Sequence, residues 1–227
     1  MTDANRRRWN AGQQKLRRAL SAGSREAISL FLDQHAMVHA GKLTQSVLWS
    51  FEDEILNDMA EEQIRCIPAS AGHSVAWILF HLARIEDMTM NLLVAGTPQL
   101  FTSKDWRGKL KVDIFHSGNA MDELTIAALS ARIDIPGLLA YRQAVGRRTR
   151  QLVQKLTPED FDQKIDPLRL QKVMEQGALL PGAIGILNYW SRRTVAGLLV
   201  MPPTRHNFLH LNEALRIKGQ ILRLQWF

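Results

Sequence analysis

Cysteine is nearly absent from this chain: among 227 residues, Cys66 is the single thiol. An internal disulfide and a cysteine-rich zinc site are thereby excluded, and any bound metal must be held by histidine and carboxylate. The same usage fits a reducing compartment and predicts a cytoplasmic location. Cys66 also has no histidine beside it in sequence, which argues against a nucleophilic role. Apolar runs of eighteen or more residues are missing. The polar start, Asn5 to Trp9, is not followed by the apolar core of a signal peptide. No association with a membrane is expected. Hairpin signals such as Asn-Gly or Asp-Gly between alternating runs do not occur. The phosphate-binding patterns G-x-x-x-x-G-K-[ST] and G-x-G-x-x-G are absent, as is the G-x-S-x-G nucleophile elbow, so nucleotide and serine-triad chemistry have no support.

What is present reads as helix throughout. Hydrophobic residues make up 46% and charged residues 22% of the chain, the proportions of an ordinary globular protein, and the length suits one domain spanning 1–227. A basic amphipathic helix is expected over Asn5–Leu20, within an N-terminal segment 1–22, ahead of a core of roughly 24–226. A second helix starts near Ser24 and carries Ile28, Phe31, Leu32, His35, Val38 and His39 at helical spacing up to Gly41. Ser50-Phe51-Glu52-Asp53 resembles a capping box for a short helix through Met59. Ser74 caps a helix running to Val94 that is apolar around most of its circumference, which predicts burial in the middle of a bundle.

Residues 99–125 read as a long crossover with a short helical piece. Further helices are expected over Leu124–Arg132, Pro136–Leu156, Leu168–Gln176 and Gly182–Val200. The chain then passes through Met201-Pro202-Pro203 into a last helix.

The net charge of +7 raises the question of nucleic acid. The excess is scattered over Arg6, Arg7, Arg8, Lys15, Arg17, Arg18, Arg147, Arg148, Arg150, Arg216, Lys218 and Arg223, with no aromatic-basic signature and no C-x-x-C finger. Solvated basic faces are the favoured reading over nucleic-acid contact.

Chemistry concentrates in the histidines. His206 and His210 are four residues apart, so on a helix their imidazoles lie on one face and converge. His81 falls inside the apolar helix, where a desolvated imidazole needs a partner. An H-x-x-x-H helix plus a buried histidine from a second helix supplies three imidazoles, a set that zinc, nickel or iron(II) accepts while leaving positions open. His35 and His39 form a competing H-x-x-x-H pair, able to replace or supplement these ligands or to line the entrance. Glu213 continues the face of His210 and is a candidate ligand, orienter or base, with His35 and His39 as substitutes for handling protons. Arg84, Glu86 and Asp87 are either groups that hold an imidazole tautomer or parts of a polar stripe, and for Glu86 the solvent-facing stripe is preferred. Trp77, Met88 and Met90 read as core packing, and His73 and His116 as solvent-facing.

At this point a family resemblance enters. The stretch Ser74-Val75-Ala76-Trp77-Ile78-Leu79-Phe80-His81-Leu82-Ala83-Arg84-Ile85-Glu86-Asp87 resembles the second-helix pattern of the DinB-like superfamily, which is grouped with YfiT-like metal-dependent hydrolases. Arg205-His206-Asn207-Phe208-Leu209-His210-Leu211-Asn212-Glu213 is similar to the paired-histidine pattern of its last helix. The resemblance implies a four-helix bundle of up-up-down-down topology, a divalent-metal centre on His81, His206 and His210, and commonly a homodimer. It also implies a small-molecule substrate, since relatives include thiol S-transferases and a mycothiol-dependent isomerase acting with a low-molecular-weight thiol. The N-terminal helix and insertions around 97–123 and 157–181 depart from shorter members and would cover or reshape the site. A metal-dependent transferase or hydrolase is the leading reading. A non-catalytic bundle with structural histidines, or nucleic-acid association through the basic helix, are the alternatives.

Overall fold

The computed structural model describes residues 1–44, 47–103 and 105–224. Its α-helices are α1 (Asp3–Ser21), α2 (Glu26–Val38), α3 (Phe51–Leu56), α4 (Glu61–Arg65), α5 (Val75–Asp87), α6 (Leu100–Ser103), α7 (Trp106–Leu110), α8 (Glu123–Arg132), α9 (Ile135–Val153), α10 (Pro167–Glu175), α11 (Ile184–Ser191), α12 (Val195–Leu199) and α13 (Asn207–Leu224). Two wider π-helical stretches, Met88–Ala95 and Met201–His206, extend α5 and lead into α13. Among the described residues no strand forms, only an isolated bridge between Lys164 and Thr194. The chain is all-helical, as its sequence predicts; the last positions of the expected terminal helix, 225–227, lie outside the described residues. No single described helix is long and apolar enough to cross a membrane.

Local sequence sets the helix starts. Ser74 Oγ accepts the Trp77 N–H at 3.0 Å, Ser50 Oγ accepts that of Asp53 at 3.0 Å, and the Asp134 carboxylate accepts that of Gly137 at 2.9 Å, each satisfying a donor that a first helical turn leaves free. Pro136 occupies the first turn of α9, where a missing N–H costs nothing.

Helix α5 packs against α9 and α13, while α2 touches both α9 and α13. All thirteen residues of α5 are buried. One apolar cluster joins Ile78, Leu79 and Leu82 to Leu138 and Val145 of α9 and to Leu211 and Ile217 of α13. A second joins Leu16 and Leu20 of α1 to Phe31, Ile85, Leu93, Phe161 and Leu198.

One expected element breaks. The apolar run 182–200 is not a single helix but α11 and α12, interrupted at Arg192–Thr194. The interruption lets the backbone pair elsewhere: Ile165 N–H donates to Arg193 O and Val195 N–H to Gln163 O, while Thr194 Oγ1 caps α12. The helix from Ser50 likewise ends early, at Leu56.

Helix α1 is amphipathic in the way its sequence suggests. Arg6, Arg7, Arg8, Lys15, Arg17 and Arg18 are exposed, whereas Trp9, Gln13, Leu16 and Leu20 are buried. Trp9 stacks on Phe208 of α13 with ring centroids 3.7 Å apart. Replacing Trp9 by Ala should therefore destabilise the protein by about 3–5 kcal/mol. Alanine at Arg6 or Arg7 should change stability by less than about 0.5 kcal/mol. Urea unfolding of the two kinds of variant checks the contrast.

Candidate metal centre

The structure brings His81, His206 and His210 together. One nitrogen from each lies within 4.8 Å of the others, and the ring centroids are 4.7–5.1 Å apart. His206 ends the π-helical stretch and His210 lies in the first turn of α13, so the H-x-x-x-H pair straddles the junction. The wide turn is held from outside: Gln13 of α1 donates to Val200 O at 2.9 Å, and Asn207 Nδ2 donates to Pro202 O at 2.9 Å.

Tautomers follow from the partners. His81 Nδ1 lies 2.9 Å from the carbonyl oxygen of Ser117, which can only accept, so Nδ1 carries the proton and Nε2 is bare. That bare nitrogen faces His206 Nε2 at 3.2 Å. Two imidazole nitrogens sharing a tetrahedral cation with bonds of ~2.0–2.1 Å stand about 3.3 Å apart. The His206 Nδ1 is buried without a partner. His210 Nδ1 bonds Glu213 Oε2 at 2.9 Å, which leaves its Nε2 for a ligand. The other oxygen of Glu213 accepts from His73 Nδ1 at 3.0 Å. The donor set and its tautomers fit a divalent cation.

Burial keeps His81 and His206 neutral. Burial, then the proximity of His210, pushes His81 down to about 3. Burial, then His81 and His210, holds His206 well below the usual histidine range. Hydrogen bonds from His210 and His73 keep Glu213 below the usual carboxylate range, so it stays anionic and both its oxygens are engaged. Neutral imidazoles are the form a metal binds.

Both predicted insertions reach this centre. Ser117, in the crossover, supplies the carbonyl on His81, and its own N–H donates to Ala178 O from the second insertion at 2.9 Å. Gly118 has φ +89°, and a Cβ there would stand 3.1 Å from the Trp77 indole, so glycine allows the loop to lie on α5. A cavity of ≈ 260 Å³ opens beside His206, lined among others by Ile85, Asn119, Ile186, Tyr189 and Trp190. A larger cleft of ≈ 750 Å³ between Lys42, Trp49, Asp53 and Leu139 touches none of the histidines and is not part of the centre.

Several polar side chains lie deeper than their sequence suggests. Glu86 does not face solvent; it is fully buried and accepts from His35 Nε2 and His39 Nε2, each at 2.9 Å. With α5 enclosed on all sides, no polar stripe exists for it to join. Arg84 and Asp87 are buried too: Arg84 donates to Phe115 O and Asp87 accepts the N–H groups of Leu100 and Phe101. His73 is only partly exposed, because it stacks on Trp77 and is drawn in by Glu213. His116 is half-buried as well, its Nδ1 accepting from Gly118 N–H.

His35 and His39, the rival pair, are enclosed, with stacked rings 4.2 Å apart, and they face Glu86 and not His81. They neither line an entrance nor join the three-histidine group. Sequence reasoning missed the Ser117 carbonyl, for which no side-chain signal exists. It also missed the link from His73 through Glu213 to His210, although the four-residue spacing of His73 and Trp77 hinted at the stack.

Burial likewise pushes His39 down to about 3. A histidine whose folded value is depressed contributes stability fully above its unfolded value of ~6.5 and loses it progressively below, because the unfolded chain then binds protons that the folded one does not. Protein stripped of divalent cations should accordingly show a urea midpoint that falls between pH 7 and 5, where carboxylates remain largely charged. A flat midpoint over that window would contradict neutral, buried His39 and His81.

Compared with known proteins, the chain matches no curated sequence. The family model of the DinB superfamily matches residues 50–213, a span that contains α5, the crossover, His206 and His210. With well over half of its length matched, and with an all-helical fold that brings a three-histidine group together, the chain belongs to the DinB superfamily.

Proposed function

We propose that the protein is a divalent-metal-dependent enzyme of the transferase or hydrolase type, with the cation held by His81, His206 and His210. The observation that carries this reading is the approach of His81 Nε2 and His206 Nε2 to 3.2 Å, with the Nδ1 atoms of His81 and His210 tied back to Ser117 and Glu213. A zinc, nickel or iron(II) ion on three imidazoles leaves positions open and lowers the pKa of a water or thiol there towards neutrality.

The protein's own groups do the rest. The Ser117 carbonyl fixes the tautomer of His81, and Glu213 fixes that of His210 and raises its basicity. Because Glu213 already accepts from two imidazoles and is held anionic, its role is to orient His210 while His73 steadies it. The apolar cavity beside His206 receives the organic part of a small substrate and keeps bulk water from the reacting end. A low-molecular-weight thiol is a nucleophile that suits such a centre. His35 and His39 take no part in proton transfer there, being turned to Glu86.

Metal analysis of protein purified without an affinity tag tests the reading. One equivalent per chain should be removable by a chelator, and His206→Ala and His210→Ala should each abolish it. Glu213→Gln should retain the site with affinity reduced about 10–100-fold. Full retention of the chelator-accessible metal in both alanine variants would refute the proposal.

A further inference from the structure

The buried trio His35, His39 and Glu86 repeats the construction of the three-histidine centre. In each, an H-x-x-x-H pair at a helix end meets a single side chain from α5: His81 for the pair at the start of α13 and Glu86, five residues later, for the pair at the end of α2. One ring nitrogen each of His35 and His39 and a carboxylate oxygen of Glu86 all lie within 4.8 Å of one another, and the three side chains are between 0% and 1% exposed.

The charges around it are incomplete. Arg142 pairs with Glu52, and Arg84 lies 3.6 Å from Asp87, which also accepts from Tyr141. Among the described residues Glu86 is left with two imidazoles and the amide of Asn207 at 3.3 Å, and with no lysine or arginine. A buried carboxylate without a cationic partner is costly. A bound cation would supply the missing counter-charge.

We propose that His35, His39 and Glu86 form a second, fully enclosed site for a first-row divalent cation such as zinc or iron(II). Two imidazoles and one carboxylate are a common donor set for such ions. His35 Nε2 meets Oε1 and His39 Nε2 meets Oε2 of the same carboxylate, each at 2.9 Å, so both imidazoles are aimed at the group that would share the cation. Binding takes up the Nε2 lone pair of each imidazole, so a proton held on Nε2 moves to Nδ1 where that nitrogen is bare and is released where it is not. His35 Nδ1 has no partner in either tautomer and does not discriminate between the loaded and empty forms. Enclosure has a kinetic consequence: an ion here enters during folding and leaves only when the bundle opens, unlike one on the partly exposed His206 and His210.

The full chain refolded with zinc ions and desalted should carry two equivalents by elemental analysis. A chelator should remove one quickly, and the second only in denaturant. Glu86→Gln, or His39→Gln should that variant fail to fold, should lose the resistant equivalent and keep the accessible one. His206→Ala should do the reverse, so failure of the three-histidine reading and failure of this one give different patterns. The proposal is overturned if the wild-type chain holds no chelator-resistant equivalent, or if that equivalent survives Glu86→Gln. In either case the trio is a hydrogen-bonded clamp between α2 and α5.

Discussion

Helix α5 has no side facing water, yet it carries His81, Arg84, Glu86 and Asp87. Each of these four side chains must therefore find partners inside the protein, since leaving one unpaired costs on the order of 1–3 kcal/mol or more for a charge. Much of the rest of the structure is organised to meet that demand. The crossover brings the Ser117 carbonyl to His81 and the Phe115 carbonyl to Arg84; Asp87 accepts the first N–H groups of α6; the end of α2 supplies two imidazoles to Glu86. The crossover is thus part of the bundle's interior chemistry, and it cannot be removed without orphaning groups on α5.

The same constraint explains the wide turns on either side of the site. A π-helical stretch exposes carbonyls that a regular helix would satisfy, and such stretches tend to occur at functional positions. Before α13 these carbonyls are taken up by Gln13 and by Asn207, the residue that also touches Glu86. The turn sets the rotation of His206 relative to His210. Helix α1, which lies outside the matched part of the family, holds that turn through Gln13 and holds α13 through Trp9 stacked on Phe208.

The features that were legible in the sequence were those written as periodicity and side-chain type. The caps at Ser50 and Ser74, the burial of α5 and the convergence of His81 with the H-x-x-x-H pair all follow from local rules and from the resemblance. Contributions made by backbone atoms were not legible: the Ser117 carbonyl leaves no trace in composition, and the break at Arg192–Thr194 depends on pairing with residues thirty positions earlier. Glu86 was misread for a different reason. A glutamate in a helix is usually solvated, and only the absence of any polar face on α5 excluded that; the H-x-x-x-H spacing of His35 and His39 then marked where its partners lay.

The central claim is that three imidazoles, from α5 and from the junction into α13, hold one divalent cation. Anomalous diffraction at the absorption edge of the resident metal, from crystals of the untagged protein, tests it most directly. The account predicts a peak at bonding distance, about 2.0–2.1 Å, from a nitrogen of each of His81, His206 and His210. A map with no peak among those three rings, in protein shown to be folded and exposed to zinc, nickel and iron(II), would contradict it.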